Sequence, residues 1–299
     1  MSNVPDTAPA PAAAPAPAAP LAEAQRVPPR TFKPGSLAEL FHFRQLIGLL
    51  VVRELKVRYK RSVLGLVWTM LNPLLLMVVY TVVFTTIMPG AVPDFSIFLL
   101  SGLLPWLLIS TALLQGTNAV LGNQDLIKKI RLPQAVFPLS VVGSNLVNFV
   151  LSFVPLLLVM LALGHPVRPA LLFLPVAALV LTAFAAGVTL FFASATVFFR
   201  DVRHLIEVLL QILFYLSPVL YDAHQIDAVS NRAWWAPIFR GVLQLNPLTY
   251  LLPLVRDPVY LGVLPPLQTV AVGSLCALAT LAAGYAMFRR LEPRHIHHF

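Results

Sequence analysis

Long uncharged apolar runs alternate with short polar clusters along most of this chain. A hydrocarbon core of about 30 Å needs roughly 20 helical residues, and six runs meet that requirement. The first, Leu64–Met88, is interrupted at Asn72-Pro73, where proline removes a backbone donor and predicts a kink. It ends at Pro89, Gly90 and Pro93. The second, Phe95–Val120, leads into the polar stretch Asn123–Pro133. The third, Gln134–Leu163, closes in the turn Gly164–Arg168, and the fourth, Ala170–Phe198, returns to Phe199–His204. The fifth starts near Leu205 and leaves at Tyr221, and the sixth, Pro266–Phe288, exits into Arg289–Arg294.

Two segments do not fit a plain crossing. Ser36–Arg61 is helical by pattern, with Ser36 and Glu39 spaced as a capping box. At 100° per residue, Val51, Val52, Leu55 and Tyr59 share one face, and Arg53, Glu54, Lys56, Arg58, Lys60 and Arg61 cover most of the rest. That pattern predicts an amphipathic helix in the headgroup plane; the plainer reading is a juxtamembrane stop that only orients the first span. The second segment, 222–257, is apolar between Ala233 and Val255 but is broken by Arg240, Pro247 and Pro253. A seventh crossing would place Arg289, Arg290 and Arg294 on the side opposite the other basic clusters, against the positive-inside bias. The segment is therefore expected to be re-entrant, as two short helices dipping into the outer leaflet with Trp234 and Trp235 at headgroup level.

The expected fold is an all-α polytopic membrane protein with six transmembrane helices per chain, an N-terminal amphipathic interface helix, and re-entrant outer-leaflet helices between spans five and six. Its regions are a disordered Ala/Pro-rich cytoplasmic tail (1–35), the interface helix (36–61), and the transmembrane domain (62–299), with the re-entrant part near 222–257. The tail has no apolar core of the kind a signal peptide carries. Composition agrees: 58% of residues are hydrophobic and only 11% charged, where soluble domains carry about 25%. The net charge of +9 raises nucleic acid as a partner. The basic residues instead flank apolar runs, as topology signals do. Most of the 21 Lys and Arg fall in clusters at Arg53–Arg61, Lys128–Arg131, Arg200 with Arg203, and Arg289–Arg294. All are expected on the cytosolic side of a bacterial inner membrane, with both termini cytosolic.

A search for chemistry within the chain finds little. No Gly-x-x-x-x-Gly-Lys-Ser/Thr loop is present to cradle nucleotide phosphates. No span has a charge near its middle of the sort that ion-coupled transporters use. Glu207 is nearest, and pairing with Arg203 on the next turn is its ordinary reading. The lone Cys276 excludes an intrachain disulfide. His295, His297 and His298 read as a solvated tail, and no metal site is expected. Ser101, Ser110, Ser144 and Ser152 have no nearby histidine, which weighs against an intramembrane transferase and for helix–helix hydrogen bonding. Energy for movement would have to come from another chain.

With those features in place, the chain resembles the membrane subunits of ATP-binding-cassette exporters of the polysaccharide class, which move lipid-linked O-antigen, teichoic acid or related glycans. The resemblance runs from about Leu37 to the C-terminus. It is carried by Arg58-Tyr-Lys-Arg-Ser-Val-Leu-Gly65 with Trp68 and Pro73, then Ile130-Arg-Leu-Pro133, Phe199-Arg-Asp201, Leu216-Ser-Pro-Val-Leu-Tyr221 and Leu245-Asn-Pro247. It implies a homodimeric pathway and two separate ATPase subunits that bind ATP and magnesium, with no cofactor in this chain and no nucleic-acid partner.

By the same resemblance, Asn123, Gln124, Asp125, Lys128, Lys129 and Arg131 would form a coupling helix, with Arg200, Asp201 and Arg203 in a second ATPase contact. Arg53, Lys56, Arg58, Tyr59, Lys60 and Arg61 would belong to the interface helix. Tyr221, Trp234, Trp235, Asn246 and Pro247 would shape the outer gate. Candidate pathway-lining aromatics are Trp68, Tyr80, Phe84, Trp106, Phe191, Phe192, Phe214 and Tyr215, for which packing or a headgroup belt is the ordinary alternative. The remaining functional alternatives are an exporter of the same class for a drug or simple lipid, and a channel or scaffold that uses no ATP.

Overall fold

A computed structural model of the chain describes residues 42–60, 62, 64–65, 67–87, 92–129, 132–222 and 236–295. The Ala/Pro tail, the Ser36/Glu39 capping box, Arg61, Arg131, Trp234, Trp235, His297 and His298 lie outside them. Every regular element among the described residues is helical. Five helical segments are long and apolar enough to cross a membrane: Val67–Ile87, Phe95–Gly116, Val136–Ala162, Pro169–Phe198 and Leu267–His295.

The first helix, α1 (Arg44–Tyr59), lies along α5 (Val136–Leu151). Leu50 is buried there, with Phe43, Leu46 and Ile47 packed beside it. The face that α1 turns inward keeps Val51, Leu55 and Tyr59 of the predicted apolar set, partly buried, and is shifted from it at two positions. Val52 is exposed, and Arg58 points between helices instead of toward water. Packing against a neighbouring helix selects the face, and the side-chain amide oxygens of Asn145 and Gln115 each accept from the guanidinium.

Helix α2 (Val67–Ile87) runs through Pro73 and touches chiefly α3 (Phe95–Gly116), so most of its apolar surface stays open within one chain. Helix α3 is the central post. It is buried along nearly its whole length by α2, α5 and α7 (Leu174–Phe198). A short helix, α4 (Gln124–Lys129), follows a single 3₁₀ turn. The third apolar run is split at Ser152 into α5 and α6 (Phe153–Ala162). There the Ser152 hydroxyl donates back to the Asn148 carbonyl at 2.8 Å.

The expected fifth span is a helix of 15 residues, α8 (Val202–Leu216), which starts before Leu205 and stops short of Tyr221. At 1.5 Å per residue it reaches about 22 Å. Pro218 ends it, since the residue before a proline is driven out of the helical region; Ser217 sits at φ −103, ψ 145. Beyond residue 235 the chain forms α9 (Ala236–Leu245), α10 (Leu248–Leu251) and α11 (Pro253–Arg256). A π turn, Asp257–Leu261, follows and closes at Gly262, whose φ is +67°. Among the described residues of this segment, Pro247 and Pro253 separate three short helices. Of these, α11 packs against α3, and both α10 and α11 pack against α12 (Leu267–His295).

The most extensive helix pair is α7 with α12. At their crossing Gly187 meets Gly284 so closely that a Cβ on Gly284 would fall on the Gly187 carbonyl. Small residues bring helix backbones together in this way where lipid supplies no hydrophobic drive. Helix α12 continues two turns past Phe288, leaving Arg289 and Arg290 exposed and burying His295.

Candidate functional site

The bundle has two chemically different ends. At one, the loops around Asp94, His165 and Tyr260 meet. His165 contacts the Asp94 carboxylate at 3.3 Å and the Tyr260 carbonyl at 3.1 Å. The Tyr260 hydroxyl donates to Pro93 O at 2.8 Å, and Arg168 donates to Leu261 O at 3.2 Å. At the opposite end lie α4, the N-terminal half of α5 and the last turns of α12. There Arg53 reaches Asn123 at 3.5 Å, and the Gln134 backbone N–H donates to Glu292 at 2.8 Å.

His295 belongs to this second end and is not the solvated tail residue expected from the sequence. It is fully buried between Phe198 and Phe288, and its two ring nitrogens contact Ser194 Oγ at 3.0 Å and Gln134 Oε1 at 2.7 Å. The helix continuing past the apolar run carries it back into the core, where imidazole joins three segments.

Helix α4 docks through the buried Ile127 and leaves Asp125, Lys128 and Lys129 exposed. Gln124 opens it, and Asn123 secures the preceding turn by donating to Ala119 O at 2.8 Å. Arg200 and Asp201 are exposed at the α7–α8 turn. Arg203 makes the i, i+4 pair with Glu207 at 3.2 Å. On α1, Arg53, Lys56 and Lys60 are exposed, whereas Arg58 and Tyr59 turn toward α3 and α5.

Between α2, α3 and α8 lies a cavity of about 650 Å³ lined in part by Tyr80, Trp106, Phe214 and Tyr215, with Glu207 and Gln211 at its polar side. Four of the eight predicted aromatics therefore share one space. Their rings continue as a ladder toward the Asp94 end. Trp106 lies 5.4 Å from Phe214, Phe214 6.2 Å from Tyr80, and Tyr80 6.4 Å from Phe84. Phe84 stacks on Phe95 at 5.6 Å, Phe95 on Phe98 at 6.1 Å, and Phe98 meets Tyr260 edge-on at 5.3 Å. Trp68 lines a different cavity, and Phe191 and Phe192 sit apart on α7.

The outer-gate residues that are described come together at the end of α8. Asn246, buried, donates to Ser217 Oγ at 2.9 Å and accepts from the Leu248 N–H at 3.0 Å, which locks α10 to α8. Pro247 starts α10, and the Tyr221 ring lies 6.4 Å from Phe239. The residue missed from sequence is Arg256. It is 8% exposed, donates to Pro218 O at 2.6 Å and Val219 O at 3.0 Å, and lies over the Phe98 ring at 4.0 Å. Gly102 leaves room for it, since a Cβ there would strike the guanidinium. Burial lowers its pKa to about 10 while Asp222 and Asp257 oppose that shift, so it stays charged at neutral pH. A cation in an otherwise apolar run, followed directly by Asp257, was the available signal.

A helical multi-pass bundle, polar at both ends and holding an aromatic-walled cavity between helices, has the architecture of an integral membrane protein. Residues 45–260 match the family described as ABC-2 type transporter, and the chain belongs to it. It is 40% identical over 245 residues to the O-antigen export system permease protein RfbA of Myxococcus xanthus, covering 80% of this chain and 91% of that relative. It is 29% identical over 265 residues to the protein of the same name from Klebsiella pneumoniae, covering 87% and 98%. Against the polysialic acid transport protein KpsM of Escherichia coli, identity is 24% over 253 residues, covering 82% and 93%.

Proposed function

We propose that this chain is the permease subunit of an ATP-driven exporter that moves a lipid-linked polysaccharide across the bacterial cytoplasmic membrane. The observation that carries the reading is the cavity between α2, α3 and α8 together with its aromatic ladder. Sugar rings present C–H faces that pack on aromatic side chains, and the charged lining residue Glu207 is paired with Arg203, which leaves little to trap a sliding polymer. The relatives named for O-antigen export and polysialic acid transport support the same substrate class.

In this reading the chain crosses six times with both termini in the cytosol. The short α8 and the turn after it make the fifth crossing, and α9–α11 re-enter from the outer face. Two copies meet along the open faces of α2 and α8, and the pathway runs between them. Two ATPase subunits holding ATP and magnesium dock on the basic end. Asn123–Pro133 serves as the lever, with Lys128 and Lys129 facing acids on the ATPase and the Arg200–Arg203 turn as second contact. ATP drives the change only because the ATPase binds two permease states unequally.

Deleting the gene in its host tests this directly. The expected result is loss of surface glycan with lipid-linked polymer accumulating in the cytosol. Unchanged surface glycan would sink the reading, and failure to make polymer at all would point to a synthetic role instead.

A further inference from the structure

A second cavity, of about 420 Å³, lies between α1, α2, α3 and α5 near the end of the bundle that carries α4. One side of it is polar and the other apolar. Arg58 reaches in from α1 and donates through Nη2 to Gln115 Oε1 and through Nη1 to Asn145 Oδ1 at 3.4 Å. The amides are themselves held: Asn145 donates to Gln115 Oε1 at 2.9 Å and accepts from Thr111 at 3.1 Å. The Tyr59 hydroxyl donates to Asn148 at 3.3 Å.

Among the described residues, every group that accepts from Arg58 is neutral, and no carboxylate lines the cavity. Neutral amides orient a guanidinium but leave its charge uncompensated in a site partly removed from water, which is costly unless an anion enters. Two of five N–H donors are used by Gln115 and Asn145, so a fork remains for a tetrahedral anion. Leucines of α3 and Phe149 form the opposite wall, and Trp68 stands at the mouth, 47% exposed. A soluble anion would leave that wall unused, whereas a lipid places its head at Arg58 and its first methylenes along the leucines. The volume suits a head and a short length of chain, not a whole lipid.

We propose that this cavity binds the phosphate head of a membrane lipid, with Arg58 as its charge partner and Tyr59 and Asn148 positioning the oxygens. Binding itself does not depend on the transport reading; only the leaflet that supplies the lipid does, through the assignment of the α4 end to the cytosol. A phosphodiester of bulk phospholipid and a diphosphate on a prenyl chain present the same chemistry to the fork.

The test uses the full-length permease in phosphatidylcholine nanodiscs doped with phosphatidylglycerol or with a polyprenyl diphosphate, with retained lipid counted by native mass spectrometry. The wild type is expected to retain the anionic lipid over phosphatidylcholine, and Arg58→Gln to reduce that retention about tenfold, as loss of a charge-assisted contact implies. Arg53→Gln, on the exposed side of the same helix, should retain lipid normally. Equal retention of the two dopants identifies bulk phospholipid as the occupant; preference for the diphosphate identifies a prenyl carrier. Should Arg58→Gln fail to purify, Asn148→Leu and Trp68→Ala must lower retention in its place. Wild-type retention in Arg58→Gln, or in both substitutes where it cannot be purified, overturns the proposal. So does an equal loss in Arg53→Gln.

Discussion

Arg256 holds the irregular turn after α8 together with one charge. After α8 ends, the carbonyls of Pro218 and Val219 have no helical partner, and the buried guanidinium supplies both bonds. Arg256→Met keeps much of the volume, removes two charge-assisted bonds, and leaves two buried acceptors unpaired. A loss of about 3 kcal/mol is expected, read as a lower melting temperature of the detergent-purified protein. Arg256→Lys should fall between, because an ammonium is a point charge where the guanidinium is a fork. A melting temperature unchanged in Arg256→Met would show that water replaces the side chain there. His295 makes the complementary point. As sequence it is the first of a terminal histidine cluster, yet packing places it between two phenylalanines with both nitrogens engaged.

Among the elements, the α7–α12 pair and α4 carry separate burdens. The glycine crossing sets how closely α7 and α12 approach, so Gly284→Val forces the backbones apart at Gly187. Overpacking of this kind costs about 1–3 kcal/mol, and thermal stability should fall accordingly. Gly241→Ala on α9 is the matched control. Its Cβ meets nothing within 4 Å, and helix propensity predicts a gain of roughly 0.5–1 kcal/mol. Helix α4 is too short to be stable alone and depends on Ile127 for its place. Lys128 and Lys129 are exposed, and surface contacts of exposed lysines are worth at most about 1 kcal/mol. Reversing both, as Lys128→Glu with Lys129→Glu, should therefore leave melting unchanged while cutting transport and permease-stimulated ATPase activity at least about tenfold, as like-charge contacts at an interface do. If transport and stimulation survive the reversal, α4 is not the lever.

At the scale of the whole molecule, one chain leaves much of its apolar surface uncovered, and α2 is the clearest case. Val78, Val79, Val82 and Val83 are all exposed along it. Lipid can cover such a face, but the aromatic cavity lies beside it, between α2, α3 and α8, which favours a second copy. Val79→Cys in a Cys276→Ser background should give a symmetric disulfide-linked dimer in membranes under mild oxidation. A cysteine at Leu275, exposed on α12, should not. The reverse pattern would move the dimer face to α12 and the pathway with it.

Residue order alone determined the helical membrane architecture, because continuous apolar runs admit few other solutions in a bilayer. It also determined the basic character of α1 and α4, the Arg203–Glu207 pair, and the family resemblance around Arg58–Gly65 and Asn246-Pro247. Tertiary packing decided which aromatics meet. Tyr80, Trp106, Phe214 and Tyr215 converge while Phe191 and Phe192 do not, since that depends on how α2, α3 and α8 rotate against one another. Packing likewise turned Arg58 inward and buried Arg256 and His295. Periodicity reports which side of a helix is apolar, but in a bundle where nearly every side is apolar it carries no direction. The direction comes from the close approaches that small residues permit and from the few polar side chains that must find partners.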